Sequence, residues 1–295
     1  MNLASRRALL ALSLLAGAAS CDTGQGSVSA TLRLAGTELS EAPFEGKDGA
    51  LITLNAAELA FGPLYLCAGA QAGELCETAR LEWLESAVVD ALDPAPAEVG
   101  ELTGVTGVIR SWMFDLGLVS TLTQQEPLVL DAAEALGGSS VRLAGRAQLG
   151  ELSIPFVADV AIRQEEATEQ GVSVIRKSTS ESFQHELRDD VESALLIRFD
   201  PRPWVSQIDF AALLIEETCE AGGPPLVCAG TIEQRCGEDG QVSAARDCQA
   251  EGARCYRGIG CAERVEFTAG SKGYKAVRDQ VVSGPRPIFT WSEEG

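Results

Sequence analysis

VRLAGRAQLGELSIPFVADVAI, residues Val141–Ile162, is the stretch that decides the fold class. Val141, Leu143, Gly145, Ala147 and Leu149 alternate with their neighbours up to Gly150; Leu152, Ile154, Phe156, Ala158, Val160 and Ile162 then alternate back. A period of two places one residue set on one face of an extended chain, so two such runs about a glycine turn predict a long hairpin with one apolar face. Upstream, Val28, Ala30, Leu32 and Leu34 repeat the alternation, and Leu51–Leu54 and Leu59–Cys67 read as further strands, with Gly62-Pro63 marking a bulge or an edge. Arg80–Leu92 fits two periods. Leu81, Leu84, Val88 and Ala91 suit a helix, whereas Ala87–Leu92 suits a buried strand. Gly107–Leu118 (GVIRSWMFDLGL) is apolar on both faces and reads as one central strand, with Trp112, Phe114 and Leu116 as core residues.

Downstream of the hairpin, Val172–Lys177 and Ala194–Phe199 read as strands, while Gln164–Gln170 and Ser178–Glu192 are polar connections. Asp200-Pro201-Arg202-Pro203 stops the second strand, and Trp204, Val205, Ile208 and Phe210 pack as a short turn or helix. Many short strands with few helices predict a mainly β fold: an antiparallel β-sandwich over residues 28–218. At Cys219 the composition changes. Residues 219–261 hold six cysteines, many glycines and few large apolar side chains, too little core to fold without cross-links. This Cys-rich piece reads as a disulfide module inserted in the sandwich. Residues 262–295 return to ordinary globular sequence. Val265–Phe267 is apolar, Tyr274, Val277, Val281 and Val282 keep helical spacing before Gly284, and Pro287–Trp291 is a last strand. The tail is therefore expected to rejoin the sandwich as a short helix and strand.

The amino terminus carries an address. Arg6 and Arg7 precede the uncharged run Ala8–Ala19, and Ala18-Ala19-Ser20 stands directly before Cys21. A short basic start, a short apolar run and a small-residue site form a secretory signal, residues 1–20, too short to stay as a membrane span. With Cys21 in that position the segment resembles a bacterial lipoprotein signal, the lipobox, with Ala18 where that family usually has leucine. The resemblance implies cleavage before Cys21, a thioether-linked diacylglycerol on its sulfur and acylation of its new amino group. Two or more acyl chains anchor stably where one holds marginally. Residues 21–27 would then be a lipidated tether, and the protein a lipid-anchored resident of the bacterial cell envelope. Ser5-Arg6-Arg7-Ala8-Leu9-Leu10 also looks like a twin-arginine signal. That route carries cargo folded in the reducing cytosol, which suits a disulfide protein poorly, so the general secretory route is favoured.

The cysteine count agrees with the lipid reading. Nine cysteines less Cys21 leave Cys67, Cys76, Cys219, Cys228, Cys236, Cys248, Cys255 and Cys261, an even set for four disulfides in an exported chain. Cys67 and Cys76 bracket a short loop that a local bond would close; the other six are left with 15 pairings. Cys228–Cys261 resembles the short Cys-rich segments of predicted myxobacterial lipoproteins, a likeness that carries no particular function.

The chemistry is defined mostly by exclusion. The chain has 23 basic and 43 acidic residues, and loss of Arg6 and Arg7 with the signal takes its formal charge from −20 to −22. Such a surface repels nucleic acid and anionic headgroups. There is no G-x-S-x-G, Walker loop, G-x-G-x-x-G or H-E-x-x-H. The single histidine, His185, rules out a multi-histidine metal site and reads as a surface loop residue rather than a triad member. Gly237-Glu238-Asp239-Gly240 is a turn, not an EF-hand loop. The segment Val88–Leu118, with Trp112-Met113-Phe114-Asp115, resembles β-sandwich lipoproteins linked to copper handling in methanobactin systems. That resemblance implies a soft-metal role, for which Met113 and His185 are a scant ligand set. No catalytic residue, metal site or cofactor is assigned. The expectation is a non-catalytic binding module that touches the membrane through the lipid on Cys21, meets an envelope protein or glycan, and binds no nucleic acid. The alternative is a carboxylate-dependent, glycan-active hydrolase. Its mark would be acidic side chains converging in one cleft.

Overall fold

The Val141–Ile162 hairpin forms as its alternation requires. Strands Val141–Leu149 and Leu152–Val160 pair antiparallel from Val141↔Val160 to Leu149↔Leu152, with Gly150 at φ 59° in the turn. The computed structural model describes residues 26–39, 42–69, 76, 78–119, 126–163, 175–178 and 184–294. The signal segment, Cys21 and the loop Gln164–Gln170 lie outside these residues.

The hairpin belongs to a six-stranded sheet in the order Phe44–Glu45, Leu51–Phe61, Val141–Leu149, Leu152–Val160 and Val265–Phe267, with Ala87–Asp90 also paired to Leu51–Phe61. The facing sheet has eight strands, in the order Ile175–Ser178, Ser111–Phe114, Leu64–Cys67, Ala79–Trp83, Ala97–Val105, Ser27–Ala35, Glu192–Arg198 and Ile288–Glu294. Pairing is antiparallel except where Ser27–Ala35 runs parallel to Glu192–Arg198 and Leu152–Val160 parallel to Val265–Phe267. Leu32, Leu66 and Leu195 from one sheet and Ile52, Leu143 and Phe156 from the other share one core. Phe61 crosses between the layers, with ring centroids 5.0 Å from Phe114 and 5.3 Å from Phe199. Trp112 stacks on Phe289 at 4.7 Å, joining the second strand of the larger sheet to its eighth, so that sheet is strongly curled. The fold is a mainly β sandwich with a small disulfide-rich insertion and a short C-terminal helix and strand.

Several boundaries differ from the sequence reading. Leu51–Phe61 is one strand, not two pieces. Its register against Val141–Leu149 shifts between Ala144 and Gly145, leaving Asn55 as an extra residue. The bulge swaps the parity of the buried set from Ile52 and Leu54 to Ala57, Leu59 and Phe61, which in sequence looks like a break. The true break is Gly62-Pro63, which carries the chain from the smaller sheet to the larger. Gly62 has φ 113°, and a Cβ there would lie 2.3 Å from the Glu85 carbonyl oxygen. Arg80–Leu92 is two strands, one in each sheet. Leu81 and Ala91 are buried, whereas Leu84 and Val88 are exposed, so the helical face does not exist. Gly107–Leu118 is three pieces: Gly107–Ile109 pairs with His185–Leu187, Ser111–Phe114 enters the large sheet, and Leu118–Val119 pairs with Leu128–Val129.

The insertion builds its own small sheets. Leu226–Ala229, Ile232–Cys236 and Val242–Asp247 pair in one, Arg254–Tyr256 and Gly260–Ala262 in the other. Bonds Cys219–Cys236, Cys228–Cys255 and Cys248–Cys261 hold them together. Cys228, Cys248 and Cys255 are also the module's buried apolar cluster, so the cross-links replace a core. The chain then re-enters the sandwich. Ser271 Oγ accepts from the Tyr274 amide to start the helix Lys272–Ser283, and the Tyr274 hydroxyl donates to the Ala161 carbonyl at 2.8 Å. Among the described residues, no helix is long and apolar enough to cross a membrane. Four disulfides mark a chain that matures in an oxidising, non-cytoplasmic compartment.

Candidate functional site

Among the described residues, a groove lies where the disulfide module meets the sandwich. Phe210 packs on Phe156 and Phe267 from the segment that leads into the module. The module returns one large side chain to the body: Tyr256, 1% exposed, sits in the sandwich core. Its neighbour Arg257 donates its amide to the Leu213 carbonyl at 2.9 Å and its guanidinium to Glu217 at 2.6 and 2.7 Å. These contacts fix the module without filling the space beside it. A groove of about 510 Å³ remains, within the size range of ligand sites. Ile208, Leu213, Leu226 and Phe267 give it apolar surface, and Ile259 stands 41% exposed on a turn at its rim. The start of the helix Lys272–Ser283 closes one end. Gly273 is needed there because a Cβ would lie 2.1 Å from the Phe267 ring.

Three carboxylates line the groove, and each is matched to a cation. Asp209 meets Lys47 at 2.8 Å, Glu217 meets Arg257, and Glu266 meets Arg264 at 2.9 Å. The Lys47 ammonium and the Ala212 amide hold the Asp209 carboxyl below its ordinary range. Glycoside hydrolysis needs one carboxyl kept protonated beside an ionised one. Asp209 is held the other way, towards its ionised form. Asp115, which burial does push up, to about 7, is 6% exposed and directly follows the strand Ser111–Phe114 of the large sheet, outside the groove. Its charge and that of Glu82 add to burial in raising Tyr65. Among the described residues no group of three or more His, Cys, Asp or Glu is placed to hold a metal ion.

The residues singled out from sequence are scattered. Cys67 and Cys76 bond to each other, far in sequence from the three bonds of the module. Trp112 and Phe114 are buried and stack at 5.3 Å, and Met113 is 8% exposed beside Tyr65 in the register. His185 is not a loop residue. It lies on a short strand, half-buried, with its ring 4.2 Å from that of Trp291 and nearly parallel to it. Burial lowers its pKa. Sequence reasoning missed the groove entirely, because Ile208, Leu226, Ile259 and Phe267 come together only through long-range packing. Asp115 was not singled out as a titrating group, although its place in the run Gly107–Leu118, apolar on both faces, is a local mark of burial.

No protein-family model and no curated protein matches this chain. Among solved structures it is similar to MbnP from Methylosinus trichosporium, at 12% identity over 92% of this chain and 99% of that one, with a TM-score of 0.33. A likeness that low assigns neither fold nor function.

Proposed function

We propose that this is a lipid-anchored, non-catalytic binding protein of the bacterial envelope, whose module groove receives an envelope protein or glycan. The observation that carries the reading is the groove itself: apolar surface, ion-paired carboxylates and walls fixed by disulfides, a construction suited to holding a ligand rather than transforming one. The anchor reading is supported by Cys21 after small residues and by eight remaining cysteines that pair without remainder. Its test is detergent partition: Cys21→Ala should move from the Triton phase to the aqueous phase, and equal retention of both forms rejects the anchor. The groove is tested by using the lipidated protein and Ile259→Asp as parallel baits in detergent-solubilised envelope. Ile259 is exposed, so the variant should keep the parent melting temperature while losing the captured component. Recovery of the same component by both baits rejects the groove as the binding site.

A further inference from the structure

The central strand Ser27–Ala35 has opposite parts of the molecule at its two ends. At its start, the Thr106 amide donates to the Gly26 carbonyl at 2.9 Å and the Gly26 amide donates to Thr106 Oγ1 at 3.1 Å. Beside this end lies the exposed turn Asp189–Asp190, with Arg188 reaching Asp190 and Glu293 at 3.6 Å each. The Cys67–Cys76 bond is here too: Cys67 pairs with Ala79, Leu81 pairs with Gly104, and Gly104 pairs with Val28. At the far end, the Phe199 amide donates to the Ala35 carbonyl at 2.9 Å, and the chain leaves through the helix Arg202–Ser206 toward the module. Nine extended residues separate the two ends by roughly 27 Å.

We infer that the end carrying Asp189, Asp190 and Glu293 is apposed to the anchoring bilayer, and that the disulfide module with its groove is the membrane-distal pole. This rests on the lipid-anchor reading of Cys21. Five residue steps join Cys21 to Gly26 and reach about 18 Å at most, less than the length of the strand. The anchor therefore holds one pole close to the surface, whatever path those residues take. A formal charge near −22 opposes pressing any broad face onto anionic headgroups, and because screening limits that repulsion to about 8 Å, a tether reaching about 18 Å can keep the acidic pole nearest the surface without contact.

The test places a seven-residue protease recognition sequence either between Asp189 and Asp190 or between Gly258 and Ile259. Each lipidated protein is reconstituted on phosphatidylcholine/phosphatidylglycerol vesicles and compared with its unanchored Cys21→Ala form. Cleavage at Asp189 should slow tenfold or more on vesicles, while cleavage at Gly258 should stay within twofold. Twenty Gly/Ser residues added to the tether should restore the Asp189 rate. Equal slowing at both sites, slowing at Gly258 alone or slowing at neither overturns the orientation. Hydrogen exchange on the otherwise unmodified chain reads the same point without an insertion: new protection should fall near 104–107 and 187–191, and protection in 217–262 instead overturns it. Flotation separates the two readings. A chain that does not float with vesicles refutes the anchor and the orientation together, whereas one that floats with its module protected refutes the orientation alone.

Discussion

Among the described residues, Asp115 is the carboxylate that burial shifts furthest. Burial raises its carboxyl to about 7 from an ordinary value of 3.8. The folded state then binds this proton more tightly than the unfolded chain does, so stability falls as pH rises from about 4 to about 7 and levels off above. At about 1.4 kcal/mol per pKa unit, the loss across that window is a few kcal/mol. The melting temperature of the parent protein should therefore drop between pH 5 and pH 8. Asp115→Asn, uncharged throughout, should flatten that dependence and be the more stable form at pH 8; parallel curves for the two proteins reject the assignment. Asp115 stands in the run Gly107–Leu118, apolar on both faces, which sets it apart from most of the 42 other acids, but how deeply it is covered is decided by the curled sheet around it. Leu32, Leu143 and Phe156 were legible as core residues, because alternation alone fixes the face on which each one lies.

Among the elements, the module depends on its bonds most directly. Cys248 is fully buried at the centre of its small cluster. Replacing Cys248 and Cys261 together by serine removes about 3 kcal/mol of loop constraint and puts two polar groups into that cluster. Limited proteolysis should then cut within 217–262 and leave a resistant sandwich fragment; uniform digestion of the whole chain rejects the separation. Gly62 is a second sensitive element. Gly62→Ala meets both the Glu85 carbonyl and a positive φ, and chemical denaturation should show a loss of roughly 2–4 kcal/mol. An unchanged midpoint contradicts the close approach. The hairpin Val141–Ile162 was readable because its period is unbroken over both arms. Leu51–Phe61 was not, because one bulged residue inverts the pattern, and Gly107–Leu118 was not, because a run that is apolar on both faces hides its breaks.

At the scale of the whole molecule, the tail is structural. Ile288–Glu294 is the eighth strand of the large sheet, Phe289 stacks on Trp112, and Tyr274 and Val277 are buried in the common core. Fully burying large side chains contributes roughly 1.5–3 kcal/mol each, so stopping the chain after Cys261 should leave it aggregated or protease-sensitive. A truncated form with an unchanged melting temperature rejects this. A Gly/Ser linker in place of residues 219–261 should still melt cooperatively, at a lower temperature because Tyr256 leaves the core. The return of the tail was legible in its apolar content; the parallel pairing of Val265–Phe267 and the groove that segment helps to line were not, since both depend on contacts distant in sequence. The position of the first strand also bears on biogenesis. Ser27–Ala35 is synthesised before its neighbours, yet it lies in the sheet interior, where Val28 pairs with Gly104, 76 residues on, and Ala30 with Ser193, 163 residues on. A chain made from its amino terminus can close one edge of this strand once Ala97–Val105 has emerged, whereas the other edge stays open until Glu192–Arg198 follows. Until then that open edge is available to chaperones, proteases and mispairing.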